Sequence, residues 1–331
     1  MTSIDVDDCG PERLLPDMNT EQLSPRYTNI DIWQPGDILD AMIDGQLASV
    51  AAVREARGAI EQAALAIEAR LRNGGRLIYA GAGTSGRLAV QDGAELLPTF
   101  SWPKERLLLL LAGGDVAMTQ AVEGAEDDID RAEALIAEHG VTAGDVLIGV
   151  AASGTTPFTL ACLRAARARG ALTVGIANNP DTPLLSDAEH PIYLATGPEP
   201  IAGSTRMNAG TAQRATLNLL STLIMIRLGR VYRGMMVEVQ ACNAKLAKRR
   251  ERMVAHLTGQ HGAVVSEALD RADGSVKLAV LLLQGYDLAE AELALTKVGG
   301  RLGDAIDHLA KQSADQSDDG EHRSTRAHAP R

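Results

Sequence analysis

Apolar positions along this chain follow two rhythms. Short flat runs, Leu77–Ala80, Leu107–Ala112, Val146–Val150, Leu172–Ala177 and Ile192–Ala195, alternate with stretches where apolar residues recur every three or four positions. The flat runs read as strands buried on both faces and the periodic stretches as helices. That alternation predicts an α/β fold, a parallel five-stranded sheet flanked by helices on both faces. Before the first strand, Ile38, Leu39, Met42, Ile43, Leu47, Val50 and Val53 give a helical spacing from Gly36 to Arg72, which Asn73-Gly74-Gly75 ends. After the last strand, Met207 to Leu228 predicts a long helix closed by Gly229. Met235 to Arg250 predicts another, with Lys245, Lys248, Arg249 and Arg250 as a solvated basic end suited to the helix dipole.

These patterns divide the 331 residues into an extended arm (1–36), an α/β domain with flanking helices (37–250), a small helical domain (251–311) and a polar tail (312–331) expected to be disordered. The small helical domain has breaks near Gly262, Gly274 and Gly285. The histidines of "EHRSTRAHAPR" in the tail form no metal-ligand spacing. An apolar fraction of 45% suits a globular core, and a net charge of −11 argues against nucleic-acid or anionic-membrane partners. Cys9, Cys162 and Cys242 are scattered without disulfide or metal spacing. Asp5, Asp7 and Asp8 stand where a signal peptide needs cations, and no apolar run reaches the ~18 residues of a membrane span. The expectation is a soluble cytoplasmic protein without a metal site.

Candidate chemistry lies in two loops. "AGAGTSG" follows the first strand, and "AASGTTP" follows "VLIGV". Each places small residues and hydroxyls between a strand and a helix, where unpaired backbone N–H groups and the helix dipole favour an anion. Gly81-Ala82-Gly83-Thr84-Ser85-Gly86 also satisfies G-x-G-x-x-G. A dinucleotide site wants a carboxylate at the tip of the next strand, about 20 residues on, but the first acid there is Asp115. Simple capping is the plain alternative for one such loop. Two of them at parallel strand ends favour a phosphosugar.

Several segments carry a resemblance to a known family. The two loops resemble the sugar isomerase (SIS) domain. "TEQLSPR", "IYAGAGTSGRLAVQDGAELLPTF", "AVEGAEDD", "GVAASGTTPF", "GSTRMNAGTAQ" and "VYRGMMVEVQACNAKL" resemble the bacterial N-acetylmuramic acid 6-phosphate etherases, in consistent order over roughly residues 20 to 250. The resemblance implies a SIS-type fold and a cofactor-independent lyase. That enzyme cleaves the D-lactyl ether of its substrate to N-acetylglucosamine 6-phosphate and D-lactate. It places the two catalytic glutamates on Glu95 and Glu126. It also implies a homodimer; the apolar face of Met207–Leu228 is either its contact or the face of an internal core helix.

Elimination beside an aldehyde needs a base for the carbon acid and an acid for the departing oxygen. Glu95, followed by Leu96, Leu97 and Pro98, is read as the proton donor in an apolar setting, and Glu126 as the base. Apart from the resemblance, "EGAEDDID" reads as a solvated acidic helix start. For the phosphate the candidates are Ser85, Ser153 and Thr155, with Thr84 and Thr156 beside them. Ser204 and Thr205 form a third hydroxyl loop. Arg87 and Arg206 are candidate cations for the phosphate or lactyl carboxylate, or braces of local structure. Thr155 and Asn208 depart from the family pattern, which has Arg and Lys there, removing charge from loops expected to face an anion. Rival readings are a non-catalytic regulator resembling the glucokinase regulatory proteins and an aldose–ketose phosphosugar isomerase. Retention of both glutamates argues against the first, and "VEGAED" against the second.

Overall fold

The computed structural model describes residues 18–239 and 244–326, which form two compact units. The sheet unit comprises the chain up to Gly93 together with Glu105–Ser221; the helical unit comprises Ala94–Lys104 and the chain from Thr222 onward. Residues 1–17 of the expected arm, with Cys9, and the position of Cys242 lie outside the described residues.

In the sheet unit, three 3-10 turns between Asn19 and Ile32 lead into α1 (Pro35–Glu55) and α2 (Arg57–Arg72). The predicted single helix is therefore two, meeting at Ala56, whose N–H still closes on Ala52 O. β1 (Leu77–Gly81), α3 (Gly83–Phe100), β2 (Leu107–Leu111), α4 (Ile129–Glu138), β3 (Val146–Val150), α5 (Pro157–Ala168), β4 (Leu172–Ala177), α6 (Pro183–Asp187), β5 (His190–Tyr193) and α7 (Asn208–Arg227) follow. All five strands are parallel, in the order β2-β1-β3-β4-β5. Ile78, Ala80 and Leu147 pack with α4, α5 and α6, while the alternate residues Leu77, Tyr79, Val146 and Ile148 are equally buried. α2 covers β3, β4 and β5. Both faces are thus closed, which is why these strands carry no polar alternation.

The helical unit differs from its expectation at its start. Val231–Tyr232 (β6) pairs antiparallel with Met235–Met236 (β7) across Arg233-Gly234, both with positive φ. Two such residues make the tight turn that matches strand twist, so the chain predicted as helix from Met235 opens as a hairpin. α8 (Ala244–Thr258), α9 (Ala263–Arg271), α10 (Val276–Leu283), α11 (Leu288–Lys297) and α12 (Leu302–Arg326) break at the expected glycines and share a core with Val237 and Val239. α12 carries the polar stretch after Gln312 as helix to Arg326, where composition suggested no structure. No proline interrupts it. No helix among the described residues is long and apolar enough to cross a membrane.

Candidate functional site

From β1 the chain turns to β2 on one side and, by way of β3, to β4 and β5 on the other, so the strand order reverses between β1 and β3. Open α/β sheets bind ligands at that reversal, beyond the carboxyl ends of the strands. Gly81 and Val150, the last residues of these two strands, are register partners. The loops that follow them are the two hydroxyl loops of the sequence.

The first loop is shaped by close packing. A Cβ on Gly86 would lie 2.5 Å from Leu111 Cδ1 and 2.6 Å from the Gly81 carbonyl, so only glycine lets the start of α3 approach β1 this closely. The first bond of α3 runs from Gly86 N–H to Ala82 O at 2.9 Å. The N–H groups of Gly83, Thr84 and Ser85 precede it and have no acceptor within the helix. Ser85 is buried at this helix start, and Thr84 is half-buried with its methyl close to Gly210. In the second loop, Thr155 N–H donates to Ser153 Oγ at 3.2 Å, and the Ser153 and Thr156 hydroxyls are 3.3 Å apart. α5 then begins at Pro157 with no side chain capping it. Its open donors are Phe158 and Thr159 N–H, because Leu160 N–H already closes on Thr156 O. Both loops therefore present hydroxyls beside unfilled helix N-termini.

The third loop is built otherwise. Glu199, 1% exposed, accepts from Asn208 N–H and Ala209 N–H, both at 2.8 Å, and so occupies the N-terminus of α7. Gly210 and Thr211 N–H close on Thr205 O and Met207 O. The first four N–H groups of α7 are satisfied, and the local charge is a carboxylate. Burial raises the Glu199 pKa, partly opposed by the Ala209 and Asn208 N–H groups. Ser204 and Thr205 are half-buried beside this filled end, and Arg206 is exposed. Glu199 escaped the sequence reading because it lies nine residues before the helix it caps, well outside any capping-box spacing.

Asn208, 2% exposed, accepts from Gln46 Nε2 at 3.2 Å and donates to Pro198 O at 3.3 Å. Its buried amide is a joint between α1 and α7, a structural task for this residue that its sequence reading did not include. Arg87 also has a definite task. Its Nε donates to Ala117 O at 2.6 Å and its Nη2 to Gln120 O at 3.1 Å, so it ties the start of α3 to the loop after β2. The brace reading holds for Arg87, through carbonyls rather than a salt bridge.

That loop leads to Glu126, exposed on the 3-10 turn Ala125–Asp127. The turn packs against α5, with Ala125 in the cluster around Phe158. The structure thus brings the Glu126 turn onto the helix that opens with the second hydroxyl loop. A cavity of about 670 Å³ lies alongside, between the edge of β2 and the 113–128 segment, lined by Val90, Asp115, Glu123, Asp128, Arg131 and Phe158 among others. Neither Ser85 nor Ser153 lines it. Glu95 is exposed on the second half of α3, which belongs to the helical unit. Leu96 points inward instead, so the apolar setting expected from its sequence neighbours is not supplied: adjacent helix residues face different ways. Cys162 is buried and its thiol is pushed up to about 12, which leaves it inert.

Two family models match the chain, the glucokinase regulatory protein N-terminal SIS domain over residues 59–167 and the SIS domain over residues 119–223. Curated relatives match over most of their length. The N-acetylmuramic acid 6-phosphate etherase of Deinococcus radiodurans is 50% identical, covering 85% of this chain and 92% of its own. That of Streptomyces avermitilis is 45% identical over 87% and 93%, and that of Rubrobacter xylanophilus 41% over 88% and 97%. Among solved structures, a phosphoheptose isomerase from Francisella tularensis aligns with 59% of this chain and all of its own at 23% identity and a TM-score of 0.44, too partial a likeness to bear on function.

Proposed function

Because this chain belongs to the N-acetylmuramic acid 6-phosphate etherases, we propose a division of labour for its residues in that reaction. The enzyme is a carbon–oxygen lyase that removes D-lactate from N-acetylmuramic acid 6-phosphate and leaves N-acetylglucosamine 6-phosphate. In the opened sugar the ether oxygen lies beta to the aldehyde. A base removes the proton between them, lactate departs with a proton from an acid, and water adds to the conjugated intermediate. Glu126 is the base and Glu95 the proton donor. Ser85, Ser153 and Thr155 hold the phosphate with the N–H groups at the starts of α3 and α5, and Thr84 and Thr156 complete the rim. Hydroxyls and helix dipoles add no net charge, which is how a chain of net charge −11 accommodates a dianion. Arg206 is left for the lactyl carboxylate.

One observation carries this reading: two hydroxyl-bearing helix starts without a side-chain cap flank the reversal point of the sheet. The regulator alternative shares the fold but gives no use for two glutamates. The domain assigned to residues 37–250 and a cytoplasmic location belong to the same proposal. So does a homodimer. α7 keeps Leu219 and Ile226 exposed for such a contact while Leu217, Leu220 and Ile224 are buried in its own chain, and α1 exposes Leu39, Ile43, Leu47 and Val50, a stripe with helical spacing that a second copy would cover. Light scattering that finds only monomer at micromolar concentration removes this part.

The direct experiment supplies N-acetylmuramic acid 6-phosphate in deuterated water and follows lactate together with deuterium at the carbon beside the aldehyde. Both are expected. Lactate released without deuterium there refutes the elimination. Glu95→Gln and Glu126→Gln should each lower lactate output by about 100-fold or more, and a wild-type rate in either removes that residue from the scheme.

A further inference from the structure

α3 changes allegiance partway along: residues to Gly93 belong to the sheet unit and Ala94–Phe100, with Glu95, to the helical unit. Pro98 lies inside the helix and offers no N–H to the carbonyl of Ala94, so the turn that bears Glu95 lacks one of its own hydrogen bonds. The alignment of that turn then depends on what grips the end of the helix. Ser101, with left-handed φ 53, stops α3, and its N–H closes on Leu97 O at 2.9 Å. Beyond it a set of side chains from the helical unit converges. Arg230 Nη1 donates to Phe100 O at 2.6 Å and Ser101 O at 3.0 Å, and its guanidinium lies 5.2 Å from the centre of the Trp102 ring. The Ser101 hydroxyl donates to Glu238 O, and the Glu238 carboxylate pairs with buried Lys277, whose Nζ also reaches Gly300 O at 2.7 Å.

A cation on the last carbonyls of a helix satisfies groups that would otherwise be orphaned and complements the dipole. Here the cation is held on three sides: by two carbonyls, by an indole face and by the field of Glu238. So fixed a grip exceeds what stopping a helix requires, since Ser101 already does that. We propose that Arg230 is a positioning residue for Glu95: by clamping the carbonyl end of α3 it sets the orientation of the Glu95 turn that Pro98 loosens. Grip and turn both lie within the helical unit. The proposal rests on Glu95 being the proton donor.

The test is a double-mutant cycle on the full-length protein with N-acetylmuramic acid 6-phosphate. Arg230→Ala should lower kcat by roughly 10- to 100-fold, the scale of a misplacement of about 1 Å, with KM within about twofold of wild type. Arg230→Lys keeps the charge but not the two-carbonyl, ring-stacked geometry and should recover part of the loss. In a Glu95→Gln background the same Arg230 substitutions should change the residual rate by less than about twofold, since there is no proton donor left to position. An equal loss in both backgrounds, or unchanged kcat in Arg230→Ala, overturns the proposal while leaving Glu95 in place. A wild-type rate in Glu95→Gln alone overturns the Glu95 reading, and the proposal with it. If Arg230→Ala fails to fold, Arg230→Lys in the two backgrounds decides the matter by the same comparison.

Discussion

The starts of α3 and α5 and the start of α7 look alike in sequence: each lies at a short stretch of glycine, serine and threonine. In the fold they are opposites. α3 and α5 leave N–H donors without a side-chain cap at the centre of the sheet. α7 has its first four N–H groups filled, two of them by Glu199. An open helix end attracts an anion, whereas an end already holding a buried carboxylate repels one. Hydroxyl content alone therefore does not mark an anion site. What marks it is whether the protein has already spent the helix donors on itself.

This contrast orders the expected effects of removing hydroxyls. Ser85→Ala and Ser153→Ala should each raise KM for N-acetylmuramic acid 6-phosphate by about 10- to 100-fold, the equivalent of a charge-assisted hydrogen bond of roughly 1.5–3 kcal/mol. Ser204→Ala should stay within about threefold, because the donors around it already serve Glu199. Steady-state lactate release measures all three. A Ser204→Ala defect as large as that of Ser85→Ala would erase the distinction and return the third loop to the phosphate.

Much of this was legible beforehand, and the failures share a cause. The five strands show as flat apolar runs because both faces of the sheet are covered, and the two open loops show because serine, threonine and glycine crowd into a strand–helix junction. The hairpin at Val231–Met236 was hidden because "VYRGMMVEV" fits a helical spacing nearly as well as a strand, and only the backbone of Arg233-Gly234 decides. Glu199 and Arg230 were missed, and the partners of Asn208 and Arg87 went unforeseen, because those partners are mostly backbone groups beyond the reach of any local spacing. Arg87 and Arg230 bind carbonyls, Glu199 binds N–H groups, and Asn208 joins a carbonyl to Gln46. No residue pattern announces a backbone group's need for a partner. Proximity in sequence misled in the same way at Glu95, whose apolar neighbours turn to other faces of the helix.

The smallest effect concerns the filled helix end itself. The Glu199 pKa is raised, above all by burial, so the folded chain holds that proton more tightly than the unfolded chain does. Its contribution to stability is therefore fullest below the ordinary glutamate range and is lost as pH rises through the raised folded value. Glu199→Gln is neutral throughout and turns an amide NH2 toward donors that now meet a carboxylate oxygen. It should cost about 1 kcal/mol near pH 5, since one cap bond is exchanged for a poor contact, and the gap from wild type should narrow as pH rises. Other titrating groups are common to both proteins and cancel in the difference. Thermal unfolding of the pair across pH 4–8 reads this directly, and a difference that does not vary with pH would mean that Glu199 keeps its charge at the head of α7 with no penalty from burial.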